Sequence, residues 1–189
     1  MLVHQSLSIG ECMLRILCLL SVLLLSACGD DAIKAAGVIV QSSKDGQTYF
    51  LLADHTGGSA HRGYGAFGGG LEKGETLQQG ALREFHEETA CHFLNHENSI
   101  SDQYVRNGKY VSFVVNVNYI DEAILNQGPI HTNCDGGVFS ERIDWVWVEK
   151  SDFLKQIHQG NEYKTNSMDI SIWKKSSVIF LKAEQAGLL

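Results

Sequence analysis

The sequence predicts one mixed α/β domain, and three observations predict it. Apolar β-rich runs are bounded by turn residues, apolar positions recur at helical spacing in three other segments, and no repeat, low-complexity run or proline-rich linker interrupts Ala35 to Leu189. Composition agrees: 189 residues with 44% hydrophobic and 20% charged side chains can bury one ordinary core. Five Cys are too few for a dense disulfide scaffold.

Residues 1–27 read as an address segment. Residues 16–27 (ILCLLSVLLLSA) are uncharged and strongly apolar, follow Arg15 and stop at Cys28. This run is shorter than the ~20 residues of a membrane-spanning helix but suits a secretory signal. Leu25, Ser26, Ala27 and Cys28 resemble a bacterial lipoprotein signal, which implies lipidation of Cys28, a short tether over 28–34 and a domain over 35–189. Met13, followed by Leu14 and Arg15, is the expected translation start. The resemblance places the protein in the bacterial cell envelope, membrane-anchored and facing outside the cytoplasm; with a misassigned start it would be cytoplasmic.

Within the domain, Ala36–Gln41 and Thr48–Ala53 predict a hairpin turning over Ser42–Gly46. Thr76 and Gln79 stand in capping-box spacing at the start of a helix over Thr76–Thr89, with Leu77, Ala81, Leu82, Phe85 and Thr89 on one face. Gln103–Arg106 and Tyr110–Tyr119 predict a second hairpin about Asn107 and Gly108. Asp144–Glu149 predicts a strand, Ser151 a cap for a short helix through His158, and Asp169–Ala186 a last helix ending before Gly187. In that helix Ile172, Trp173, Ser176, Ile179, Phe180 and Ala183 are expected in the core.

The net charge is −7, with 15 Lys plus Arg against 22 Asp plus Glu, which disfavours binding to nucleic-acid duplexes. Any anionic substrate must therefore meet local positive charge. The sequence carries no signal for an oligomeric state.

Gly68 to Cys91 reads GGGLEKGETLQQGALREFHEETAC. Glu84, Glu87 and Glu88, at i, i+3 and i+4, share one helical face, where like charges cost ~0.2–0.5 kcal/mol per pair. Two of them sit in the last turn, where the macrodipole disfavours acids by ~0.3–1 kcal/mol. A sequence selected for helix stability alone would place Lys there. Gly69, Glu75, Arg83, Glu84, Phe85, Glu87, Glu88 and Cys91 match the Nudix hydrolase signature, and the segment resembles that family.

The resemblance implies an α/β/α sandwich with a mixed sheet and a metal-dependent hydrolase that cleaves a diphosphate linkage in a small-molecule substrate, a nucleoside diphosphate derivative. It implies Mg²⁺ (or Mn²⁺) on Glu84, Glu87, Glu88 and the Gly68 carbonyl, with Arg83 and Glu75 bracing the loop against the helix. Hard cations of this kind prefer oxygen ligands and lower the pKa of bound water. The general base is expected outside the signature, at Glu141, Asp144 or Asp135. The rival reading is a lipid-anchored, non-catalytic nucleotide-binding module on the same fold.

Two departures stand out. Ala90 replaces the family's Gly at the helix exit, and Phe67 stands where many relatives have Pro. With Pro129 as the only Pro, the marker of many ADP-ribose hydrolases is missing at its usual spacing. His86, His92 and His96 are read as not ligating metal. For Cys91, burial as a free thiol is favoured over a bridge to Cys134.

Overall fold

A computed structural model describes residues 32–55, 62–94, 100–128, 134, 137–142 and 144–189. The address segment, Cys28, Asp135, His96 and Pro129 lie outside these residues. Among the described residues no helix is long and apolar enough to cross a membrane.

Strand β1 (Ala35–Lys44) runs antiparallel to β2 (Gln47–Asp54). The turn between them is shorter than expected. Asp45 and Gly46 form a two-residue turn at φ 52° and 79°, so both strands extend to it. Strands β3 (Tyr64–Gly65) and β4 (Phe67–Gly70) follow, β3 on β2 and β4 on β1. Helix α1 (Leu77–Glu88) leads to β5 (Ile100–Asn107) and β6 (Tyr110–Asn116), a hairpin whose second strand lies parallel to β1. The short helix α2 (Glu122–Leu125) and a 3₁₀ turn (Gly137–Ser140) precede β7 (Trp145–Glu149), which pairs with β2. Helix α3 (Lys150–Ile157), the small β8 (Glu162–Lys164) and β9 (Asp169–Ser171) ribbon, and helix α4 (Lys174–Gln185) complete the chain.

The seven strands β1 to β7 make one mixed sheet with a core on each face. Val38, Val40, Leu51 and Ala53 face α1, whereas Ile39, Phe50 and Leu52 face α3 and α4. Burial on both faces explains why these strands read as nearly continuous apolar runs. The expected α/β/α sandwich is the observed fold.

Three local expectations are corrected. Helix α3 is capped by Glu149, whose carboxylate accepts the Ser151 and Asp152 amides at 3.0 and 2.8 Å, so Ser151 lies inside the first turn. The last helix begins at Lys174, because Asp169–Ser171 pairs with β8 and Trp173 donates its amide to the Tyr64 carbonyl at 2.8 Å. Strand β6 stops at Asn116, short of Tyr119.

Candidate active site

The box helix starts as its sequence dictates. Thr76 Oγ1 accepts the Gln79 amide at 3.2 Å, and Gln79 Oε1 accepts the Thr76 amide at 2.9 Å, closing the capping box. At its other end the amides of Ala90 and Cys91 donate to the carbonyls of Glu87 and His86 at 3.2 and 2.8 Å, a Schellman pattern. Ala90 takes the left-handed conformation that this exit demands, at φ 45°, and Cys91 follows at 62°. A Cβ there costs about 1–2 kcal/mol, so the tertiary structure holds the exit against its local preference. Part of that hold is covalent: Cys91 is bridged to Cys134. Cys91 is buried as expected, but as a disulfide rather than as a thiol. The approach of two residues 43 apart in sequence is a tertiary event that local reading does not supply.

Arg83 organises the acidic face. Its Nε donates to Glu75 Oε1 at 2.7 Å, and Nη2 donates to Glu75 Oε2 at 3.2 Å and to the Gly70 carbonyl at 2.8 Å. Nη1 donates to Glu84 Oε1 and Glu87 Oε2, both at 3.0 Å. All five N–H donors of the fork are thus used, and they tie Glu75 and the Gly70 carbonyl of the loop to the helix. The Arg83 hydrogen bonds hold the Glu75 carboxyl below its usual range. Burial raises the Glu84 carboxyl, with Arg83 pulling the other way.

The loop approaches the helix closely enough to require glycine. A Cβ on Gly69 would stand 2.4 Å from a Glu84 carboxylate oxygen. Gly68, at φ 144°, abuts Gly37 of β1 and sends its amide to Glu88 Oε2 at 2.8 Å. Phe67, in place of a Pro, is fully buried and packs edge-on against Phe85 of the helix at 5.5 Å.

Glu88 is the deepest acid among the described residues, 1% exposed. Its Oε1 accepts from Arg142 Nη2, and its main-chain carbonyl accepts from Trp145 Nε1 at 2.9 Å. Burial pushes its carboxyl up to about 7 against the pull of Arg142 and the Gly68 amide. Arg142 was missed at the sequence level. Its only local hint is its place beside Glu141, in a segment read for acids rather than for the base among them.

Of the two described base candidates, Glu141 is exposed and near enough to Glu84 and Glu88 to raise both electrostatically. Asp144 is committed, accepting the Tyr64 hydroxyl. The buried His92 ring lies against Trp145 at 6.2 Å.

The donor set Glu84, Glu87, Glu88 and the Gly68 carbonyl is all oxygen and strongly acidic, which fits a hard divalent ion. In this structure Arg83 and Arg142 supply the countercharge, and no group of three or more His, Cys, Asp or Glu converges for metal among the described residues.

The model of the NUDIX domain matches residues 32–167. No curated protein matches the chain. Among solved structures, the NUDIX domain of Shewanella oneidensis NrtR, complexed with ADP ribose, is 15% identical at a TM-score of 0.50, covering 88% of this chain and 97% of its own. The Nudix hydrolase RenU of M. smegmatis is 16% identical at 0.50, covering 82% and 86%. A bifunctional NMN adenylyltransferase/ADP ribose pyrophosphatase from Francisella tularensis, complexed with AMP and an Mn ion, is 15% identical at 0.50, covering 92% of this chain and 47% of its own. At these identities the likeness concerns the fold. With the family model spanning well over half of its length, the chain belongs to the NUDIX family.

Proposed function

We propose that the protein is a divalent-metal-dependent hydrolase of a diphosphate linkage in a nucleoside diphosphate derivative. The observation that carries this reading is the Arg83 fork, which binds Glu75, Glu84, Glu87 and the Gly70 carbonyl at once and so presents the acids as a set. A helix optimised for stability would not gather them. Glu84, Glu87, Glu88 and the Gly68 carbonyl would hold Mg²⁺ or Mn²⁺, which supplies charge neutralisation of the diphosphate and an acidified water. Arg83 and Glu75 keep the loop and helix in register. Arg142 balances the charge of Glu88 at Oε1. Glu141, open to solvent and close in electrostatic terms to Glu84 and Glu88, is the proposed base; Asp144 is occupied by Tyr64.

The test is a product screen of the purified protein over a panel of diphosphate compounds with Mg²⁺. Glu87→Gln and Glu88→Gln should each lower turnover by at least about 100-fold, the scale of a lost charge stabiliser. Near wild-type activity in both folded variants overturns the assignment. Nucleotide binding without turnover of any compound would select the non-catalytic module instead.

The proposed location is the cell envelope, anchored through lipid on Cys28. The Cys91–Cys134 bridge supports an oxidising compartment. Metabolic palmitate labelling that survives Cys28→Ser would reject the anchor.

A further inference from the structure

Acids outnumber bases by 22 to 15 in this chain, yet four cations line one cavity of about 510 Å³. They are Lys34, Arg62, Lys109 and Lys175, and among the described residues no Asp or Glu lines the same cavity. The cavity touches the proposed catalytic loop: Gly68, Gly69 and Gly70 form part of its wall, together with Tyr110 and, from α4, Ser176 and Ile179. Glu84 stands against Gly69 on the helix side, whereas the position of a Gly68 Cβ would meet the Tyr110 hydroxyl. Three glycines of β4 therefore separate the acidic face from the cationic cavity.

Two of the cations are held by one aromatic ring. The Arg62 guanidinium lies 5.3 Å and the Lys175 ammonium 5.7 Å from the centre of the Trp173 indole. The buried His55 ring packs against the same indole at 5.2 Å and donor-acceptor contact with the Ala66 carbonyl at 3.0 Å fixes it there. Like charges gathered in this way repel, and in an acidic protein no general surplus of bases forces them together. Helix α4 starts beside them with Lys174 and Lys175 and no acid in its first turn, which adds to the positive potential.

We propose that this cavity is a phosphate subsite, and that the substrate carries an oligophosphate beyond the cleaved linkage rather than a neutral group. The word substrate rests on the hydrolase reading above; the anion site does not. Four cations exceed the ~1.5–2 charges of one terminal phosphate and leave positive charge for further phosphates of the same chain. A nucleoside polyphosphate lying across the Gly68–Gly70 edge places one linkage at the acids and the remaining phosphates among the cations. Anionic lipid headgroups offer the same chemistry, but the concave shape suits a soluble chain.

The experiment is calorimetric titration of the full chain with inorganic tripolyphosphate in EDTA, which removes the metal contribution. Wild type should bind, with affinity falling as salt rises. The Lys109→Gln/Lys175→Gln double variant should bind at least about tenfold more weakly, as expected for two lost charge-assisted contacts. Lys155→Gln, on α3, should match wild type. Trp173→Leu should weaken binding and Trp173→Phe restore part of it, as a positioning role requires. In turnover, the double variant should raise KM for adenosine tetraphosphate more than for a nucleoside diphosphate hexose. No tripolyphosphate binding by wild type, equal binding by the folded double variant, or sedimentation with phosphatidylglycerol vesicles in place of tripolyphosphate binding would each overturn the subsite. Intact tripolyphosphate binding without hydrolysis of any diphosphate would instead defeat the hydrolase reading and leave the subsite standing.

Discussion

Arg83 and Arg142 both neutralise carboxylates of the box helix, but they do so in different surroundings. Arg83 is 24% exposed and spreads five donors over three acids and a carbonyl, all within the loop and helix it braces. Arg142 is 13% exposed, pairs with a carboxylate that is 1% exposed, and reaches it across 54 residues. Its buried Nε has no hydrogen-bond partner among the described residues. The difference shows how desolvation changes what an ion pair does. The acids around Arg83 keep 14–20% of their side-chain surface exposed, whereas Glu88 depends on one guanidinium and one amide.

The largest expected effect separates these two sites. Arg142→Met should destabilise the metal-free protein by about 3–5 kcal/mol at pH 8, because it strands a buried charge. Arg83→Met should cost no more than about 2 kcal/mol, since its acids retain water. At pH 5 the Arg142→Met penalty should shrink, because Glu88, raised to about 7, takes up a proton there. Adding Glu88→Gln should recover most of it. Urea unfolding at both pH values reads all of this, and a larger loss for Arg83→Met would reverse the comparison.

Reduction of Cys91–Cys134 comes next, at about 2–4 kcal/mol for a loop of 43 residues. It should also lower the Arg142–Glu88 coupling energy in a double-mutant cycle while leaving Arg83–Glu75 unchanged. The bridge joins the helix exit to the segment that carries Arg142. Equal coupling in oxidised and reduced protein would show that Arg142 is held by packing alone.

His55 reports on Arg142 from a third direction. Burial, then the charge of Arg142, lowers its pKa to about 4, against 6.5 for the free side chain. Between these values the unfolded chain binds the extra proton, so stability present above pH 6.5 is lost as pH falls towards 4, by up to about 3 kcal/mol. His55→Gln should remove this acid limb relative to wild type, and Arg142→Met should raise the His55 midpoint in NMR titration. An unmoved midpoint would place Arg142 too far away to matter. The smallest effect is Ala90→Gly, which should stabilise by about 0.5–1 kcal/mol by relieving the left-handed alanine. No gain would mean that the fold has already absorbed the strain.

The box was legible because it is local. Gly69, Glu75, Arg83 and the acids lie within one loop and helix, so helical spacing alone puts Glu84, Glu87 and Glu88 on the same face. Thr76 and Gln79 close their capping box without help from the rest of the chain. The N-terminus of α4 shows where such reading fails: Ile170 and Ile172 fit a strand alternation as well as a helical period, and pairing with β8 decided between them. Strand β4 escaped notice because three glycines have no side-chain pattern.

By itself the sequence determined the strands buried on both faces, the box helix with its N-terminal capping box, and the identity of the acids, since each depends on residues a few positions apart. Only the tertiary structure decided that Arg142 meets Glu88, that Cys91 meets Cys134, and that Lys34, Arg62, Lys109 and Lys175 share a cavity. These meetings join residues tens of positions apart, and a charge or thiol carries no mark of its distant partner. Closing the sheet between its helices brings them together, and burial then turns a chance neighbour into an obligatory one, because a desolvated charge needs its countercharge.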